Sequence, residues 1–313
     1  MRILSLSGFT PEQICDTIRF SQYAGDRNIS HYCGYVSDFI SQVVQDKSID
    51  GAVFPKSCDS ARTIGSYLSD TGKFLFQIDV PSYGAVGARR YFASVIRSYK
   101  KAVEAYFEVK LDDTVERTEL VNRRNSVIRK LHENLADISF ADYLAALHET
   151  LTMPLCEQTK IRPVKKAKIG GKRVYVIGSF LSNLETAQCL EDVGLSVVGD
   201  NLPESGRLAT VKTTALDGDI FENIADAILS MNPSPTQNAF RNILETDRFE
   251  INNKSAQGIV FITQKYCEPY DYLFSSYKAM ADDMGLPILK LSLNDTEDNR
   301  KATLSLEAFA DTL

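Results

Sequence analysis

Short apolar runs with the residue bias of β-strands alternate along this chain with longer segments of helical period, and that alternation narrows the fold more than any other feature. Parallel strands need long crossovers, most often helices, so the pattern is that of parallel-sheet α/β domains. Strands are expected at residues 51–55, 74–80, 173–179, 195–200, 258–263 and 286–291. Between the second and third of these, Phe92, Val95, Ile96, Tyr99, Val103, Tyr106 and Phe107 recur at three- and four-residue steps and should share one face of a long helix. A second such helix carries Leu120, Val127, Ile128, Leu131 and Leu135. The expected architecture is α/β: two lobes of Rossmann or flavodoxin type with parallel sheets, at residues 1–82 and 172–313, separated by a helical segment and linker at 83–171.

With 313 residues the chain can bury about two such cores. Its net charge is −6, which speaks against a nucleic-acid surface. No run approaches the roughly 18 apolar residues of a membrane span, and the start lacks the apolar stretch of a secretory signal, so a cytoplasmic protein is expected. Arg162, Lys165, Lys166, Lys168, Lys172 and Arg173 form a basic cluster. A solvated linker is the favoured reading, and attraction of a phosphorylated ligand such as a coenzyme A tail is the sharper one. Gly84, Gly87, Arg89 and Arg90 match neither a P-loop nor a dinucleotide fingerprint and read as a loop entering a helix.

The six cysteines do not suggest a disulfide framework in a chain without a secretion signal, and there is no CxxC pair for a local zinc site. Two segments echo each other. GAVFPKSCDS, from Gly51, and GIVFITQKYCEP, from Gly258, each run from glycine through an apolar strand and a polar loop to a cysteine followed by an acid. Both cysteines then fall just past the carboxyl end of a strand, where open α/β sheets place ligands. Helical patterns follow Cys58 and Cys267, and another follows Cys33 in HYCGYVSDFISQVV, so all three are expected at helix starts, where partial positive charge favours a thiolate. Three such thiols suit a 4Fe-4S cluster with one iron left open. Free cysteine is also among the most buried residue types, and on the residues alone packing and ligation stand as equal readings. For Cys15, Cys156 and Cys189, packing is preferred. His31 precedes Cys33 by two residues and is kept as a minor site candidate.

GFTPEQI, HYCGYV, AVFPKSCDSART, GKRVYVIGSFLSN, LSVVGDNLPESGR and KYCEPYDYLFSSYKAMADDMGLPILKLSLND resemble, in order, successive blocks of the 2-hydroxyacyl-CoA dehydratase and benzoyl-CoA reductase family, of the 2-hydroxyglutaryl-CoA dehydratase D-component type. The resemblance implies a 4Fe-4S cluster held in the interlobe cleft by Cys33, Cys58 and Cys267. It implies a lyase acting with a homologous second subunit as a heterodimer, and an ATP-dependent iron–sulfur activator that injects one electron. A ketyl radical on the acyl-CoA substrate then permits syn-elimination of water. Asp59, Ser60 and Glu268 are the candidate catalytic residues, with Asp200 and Arg207 also expected near the cleft. Helix capping and a surface turn are the plain readings of these five.

Little chain precedes GFTPEQI, and Ser7 and Gly8 stand where many members carry cysteine or an aromatic, so both a substrate-binding and an electron-relaying role fit. Three alternatives accompany the dehydratase reading: a benzoyl-CoA reductase-like or double-cubane (8Fe-9S) reductase subunit, a non-catalytic cluster-bearing partner, and a cluster-free nucleotide-binding enzyme.

Overall fold

A computed structural model describes residues 1–20, 32–167, 170–181, 184–293 and 299–313; His31 and Lys168 lie outside them. The first lobe runs β1 (Ile3–Ser5), β2 (Thr17–Arg19), α1 (Gly34–Gln45), β3 (Gly51–Pro55), α2 (Asp59–Leu68) and β4 (Phe74–Ile78). Three helices follow, α3 (Ala88–Phe107), α4 (Thr114–Glu133) and α5 (Phe140–Leu151). The second lobe comprises β5 (Lys172–Gly178), α6 (Leu184–Asp192), β6 (Leu195–Asn201), α7 (Gly206–Ala209), α8 (Ile220–Leu229), α9 (Phe240–Asn253), β7 (Gly258–Gln264), α10 (Glu268–Met284), β8 (Ile288–Leu293) and α11 (Asn299–Thr312).

Each lobe holds a four-stranded, wholly parallel sheet, in the orders β2-β1-β3-β4 and β6-β5-β7-β8. The two orders are the same topology repeated. The echoing segments supply β3 and β7, the equivalent third strands of the two orders.

Helices cover both faces, which is why β3 and β7 read as unbroken apolar runs and are buried along their whole length. Alternate residues divide between two cores, as a period of two requires. In the first lobe Leu4, Ala52 and Phe54 pack with Phe39 and Ile40 of α1 and Ile64 of α2, whereas Ile3 and Val53 point the other way, into the core that also holds Phe92, Ile96 and Tyr99 of α3. In the second, Tyr175, Ile177, Ile259 and Phe261 face α9 and α10, while Val174, Val176, Val260 and Ile262 enter that same shared core. The middle helices are therefore part of the interior of both lobes.

The stripe predicted on α3 is buried at Phe92, Ile96, Tyr99 and Val103, but Tyr106 is exposed. On α4 the buried face holds polar residues among the apolar ones. Arg124, 1% exposed, reaches Glu12 at 2.6 Å, and Glu12 also accepts from Arg19 at 2.5 Å. This buried ion cluster fastens the loop between β1 and β2, which carries GFTPEQI, to the middle of the molecule. Gly87 caps α3, in line with a loop entering a helix.

Candidate functional site

In each sheet the chain leaves the first strand toward one side and returns on the other, so the topological switch lies between β1 and β3, and between β5 and β7. Ligand crevices form at such points, outside the carboxyl ends of the strands. Here the two crevices face a common cavity. It is lined by Leu6, Ser7 and Gly8 after β1, Ser57 and Cys58 after β3, Ser179 and Phe180 after β5, and Cys267 after β7, with Cys33 at the start of α1. About 810 Å³ lies between the protein atoms, its mouth included.

Cys33, Cys58 and Cys267 are the N-cap residues of α1, α2 and α10. No sulfur closes a cap hydrogen bond. Nearby amides nonetheless favour the thiolates: those of Val36 and Tyr35 at Cys33, Ala61 and Ser60 at Cys58, and Tyr270 at Cys267. Burial acts against them, pushing the Cys33 thiol up to about 12 and raising Cys58 and Cys267; neighbouring charge adds to it, from Cys58 at Cys33, from Cys33 and Cys58 at Cys267 and from Asp59 at Cys58. Tyr266, immediately before Cys267, takes φ 63°, a left-handed conformation costly for a bulky residue, in the turn from β7 into α10. Among the described residues no three His, Cys, Asp or Glu side chains gather as they would around a single metal ion. The thiols are spread around the cavity wall instead.

The lobes also meet through an aromatic stack. Tyr35 on α1 and Phe180 after β5 lie with ring centroids 3.7 Å apart and planes within 5°, and the Tyr35 hydroxyl donates to the Phe20 carbonyl at 2.9 Å. Behind the stack is a smaller pocket that shares Leu6, Ser7, Gly8, Tyr35, Phe180 and Pro203 with the thiol cavity. Ser5, Arg19, His148 and Glu204 complete its polar lining. Glu204 accepts the Leu181 amide at 2.6 Å through Oε1, while Oε2 is buried without a partner. Burial, with the Asp200 charge adding to it, raises its carboxyl to about 7 against the opposing pull of the Leu181 amide and Arg207. Burial alone lowers His148, to about 4.

Arg207 and Tyr270 line the cavity on the C-terminal side. The Arg207 guanidinium donates to Asn201 at 2.9 Å and to the Tyr270 hydroxyl. Asn201 in turn donates to Asp247 at 2.7 Å, and Tyr277 donates to the other Asp247 oxygen. Burial raises Asp247 to about 7. Asp200 sits behind Arg207, outside the cavity lining. Its carboxylate accepts the amides of Leu202 and Gly206, at 2.9 and 2.8 Å, and the Ser205 hydroxyl at 2.7 Å, and lies 3.1 Å from His132 Nε2. Burial works to raise Asp200, but His132 and these donors together hold it below the usual carboxylate range. Asp200 thus shapes the turn that presents Glu204 and Arg207.

The family model of the 2-hydroxyglutaryl-CoA dehydratase D-component matches residues 2–313. The chain belongs to this dehydratase family. It is also 24% identical over 159 residues to the (R)-phenyllactyl-CoA dehydratase beta subunit of Clostridium sporogenes, a match covering 49% of this chain and 41% of that subunit.

Within this D-component chain the expected site residues separate. Cys33, Cys58 and Cys267 come together around one cavity, and Arg207 joins them. Asp59, Ser60 and Glu268 do not line it: Asp59 and Glu268 are exposed, Asp59 lies 3.9 Å from Arg62, and Ser60 is half-buried. Cys15 is buried beside the Tyr99 hydroxyl and Cys189 half-buried beside Thr303, as packing requires, but Cys156 is exposed. Leu155 takes the inward position there. Several members of the basic cluster have partners within the chain. Arg162 pairs with Asp142 and Glu149, Lys172 donates to the Ala310 carbonyl, and Arg173 to the carbonyls of Lys254 and Ser255. Among the described residues no helix is long and apolar enough to cross a membrane. Sequence reasoning missed the Tyr35–Phe180 stack, His148 and Glu204, although Glu204 stands in the quoted block LPESGR.

Proposed function

We propose that this chain is the iron–sulfur subunit of a 2-hydroxyacyl-CoA dehydratase and that Cys33, Cys58 and Cys267 hold a 4Fe-4S cluster in the interlobe cavity. The observation that carries the proposal is the approach of three helix-capping cysteines, from distant segments, to one cavity at the switch points of both sheets. The donor set fits such a group. Thiols are its usual ligands, helix-start amides stabilise its sulfurs, and a spread arrangement suits a body wider than one ion. A cationic centre would also reverse the penalty that burial and mutual repulsion now place on the thiolates.

Once bound, the cluster would supply one-electron chemistry and an open iron to polarise the substrate oxygen, in keeping with a ketyl radical route to loss of water. The chain's own residues do the rest. Arg207, buried and without a carboxylate at ion-pair distance among the described residues, carries positive charge to the wall and would offset negative charge in the cavity. The Tyr35–Phe180 stack joins the lobes between the thiol cavity and the smaller pocket. The beta-subunit relative supports a homologous second subunit as partner, and an ATP-dependent iron–sulfur activator would deliver the electron.

The test is anaerobic dehydration of (R)-phenyllactyl-CoA and 2-hydroxyglutaryl-CoA by the chain with its partner subunit and an activator. Enoyl-CoA should form with the wild type and be abolished in Cys58→Ala and Cys267→Ala. Turnover undiminished in both variants would refute the proposal.

A further inference from the structure

The pocket behind the Tyr35–Phe180 stack is built of features that a purely structural role does not need. Among the described residues Glu204 is the one carboxyl lining either this pocket or the thiol cavity. One of its oxygens holds the Leu181 amide, a task that any side-chain amide could perform. The other is enclosed with no donor among the described residues. A buried polar atom in that state costs about 1–3 kcal/mol, so its retention calls for a partner that comes and goes. His148, 9% exposed and lowered by burial alone, faces the same space as a neutral imidazole. The pocket has room for a water molecule but not for an acyl chain, and it adjoins the thiol cavity through six common lining residues.

Elimination of water requires a proton for the departing oxygen and a base for the hydrogen on Cβ. We propose that Glu204 serves as both through a water held in the pocket behind the stack, which passes the proton to and from the thiol cavity that the pocket adjoins. This rests on the dehydratase reading above. In the net step the Cα–O bond breaks, its electron pair leaves with the oxygen, and the Glu204 acid gives its proton, through the pocket water, to complete the departing water. The Cβ–H bond breaks, its pair forms the Cα–Cβ double bond, and its proton returns through the same pocket water to restore the Glu204 acid. No net oxidant or reductant is consumed. A carboxyl poised near neutrality is populated in both forms and so suited to both halves of the exchange. His148, uncharged, can hydrogen-bond the water without competing for its proton.

Glu204→Gln keeps an oxygen for the Leu181 amide but has no proton to exchange. In the anaerobic complex, with (R)-phenyllactyl-CoA and 2-hydroxyglutaryl-CoA as probes, kcat should fall by about 100-fold or more, with KM changed by less than about threefold. Iron content and melting temperature should match the wild type, and Glu204→Asp should recover part of the rate. Two further readouts distinguish proton transfer from support of the fold. Recovered substrate should gain deuterium at Cβ from D2O with the wild type and not with Glu204→Gln. A protonated-carboxyl infrared band of the wild type near pH 6 should be missing from the variant. Turnover within about threefold of the wild type in Glu204→Gln, or unchanged exchange at Cβ, would overturn the proposal. Failure of the wild type on both probes would instead remove the dehydratase reading, and this inference with it.

Discussion

Replacing Glu12 by glutamine should expose how much of this architecture hangs on one buried carboxylate. Glu12 is 5% exposed and lies between Arg19 and Arg124. Burial works to raise its pKa, but the two guanidiniums overcome that and lower it from 4.5 to about 2. A carboxyl lowered that far corresponds to about 3 kcal/mol of stability. Because the folded pKa is the lower one, this contribution is fully present above the unfolded value of 4.5 and drains away as pH falls toward 2. Burial pulls Arg124 downward, with Arg19 adding to the effect, so the cluster as a whole gives less net stability than Glu12's shift alone implies. Removing the anion while both cations stay buried should cost about 3–5 kcal/mol at pH 7. For 313 residues the unfolding entropy is about 0.7 kcal/mol per kelvin, so the melting temperature should drop by about 4–7 °C. Urea unfolding of wild type and Glu12→Gln between pH 7 and pH 3.5 is the assay. The gap between the two should hold steady down to about pH 5 and shrink by about 1.4 kcal/mol by pH 3.5. A gap independent of pH, or one below about 1 kcal/mol at pH 7, would refute the reasoning.

Three further outcomes follow from the same geometry. Gly206→Ala would place Cβ 1.9 Å from the Asp200 carbonyl oxygen, so the turn must open; thermal melts should show a loss of about 2–4 kcal/mol, and a change under 1 kcal/mol would mean the turn yields freely. Tyr35→Phe removes the hydroxyl that donates to the Phe20 carbonyl but keeps the ring, so denaturant titration should show a loss of about 1 kcal/mol with iron content unchanged. Phe180→Ala should cost about 2–3 kcal/mol, since the ring is only partly buried, and should widen the passage between the inner pocket and the thiol cavity, read as faster amide exchange at Leu181.

Strands β3 and β7 were legible because burial on both faces makes them apolar runs, and β4, β5, β6 and β8, less completely buried, because each still carries a short run of β-type apolar residues bounded by glycine or polar loops. β1 and β2 were not: three residues each give no period to read, and only pairing with β3 makes Ile3–Ser5 a strand. The cysteines were legible because each precedes a helical period after a strand or loop. The acids beside them misled for a geometric reason. Successive helical residues are about 100° apart, so where an N-cap sulfur meets the cavity the next residue points away, as Asp59 and Glu268 do. Glu204 and His148 gave no local signal, since their pocket is assembled from the loops after β1, β5 and β6 together with α5, and sequence spacing does not report which loops meet.

Iron and acid-labile sulfide analysis of the anaerobically purified chain, alongside its single variants Cys33→Ser, Cys58→Ser and Cys267→Ser, tests the central claim most directly. About four irons and four sulfides per wild-type chain, with each substitution depleting them, is the result the account predicts. About twice that iron would point to the double-cubane reductase instead. A colourless wild-type protein that takes up no iron on reconstitution, or iron content indifferent to all three substitutions, would contradict it.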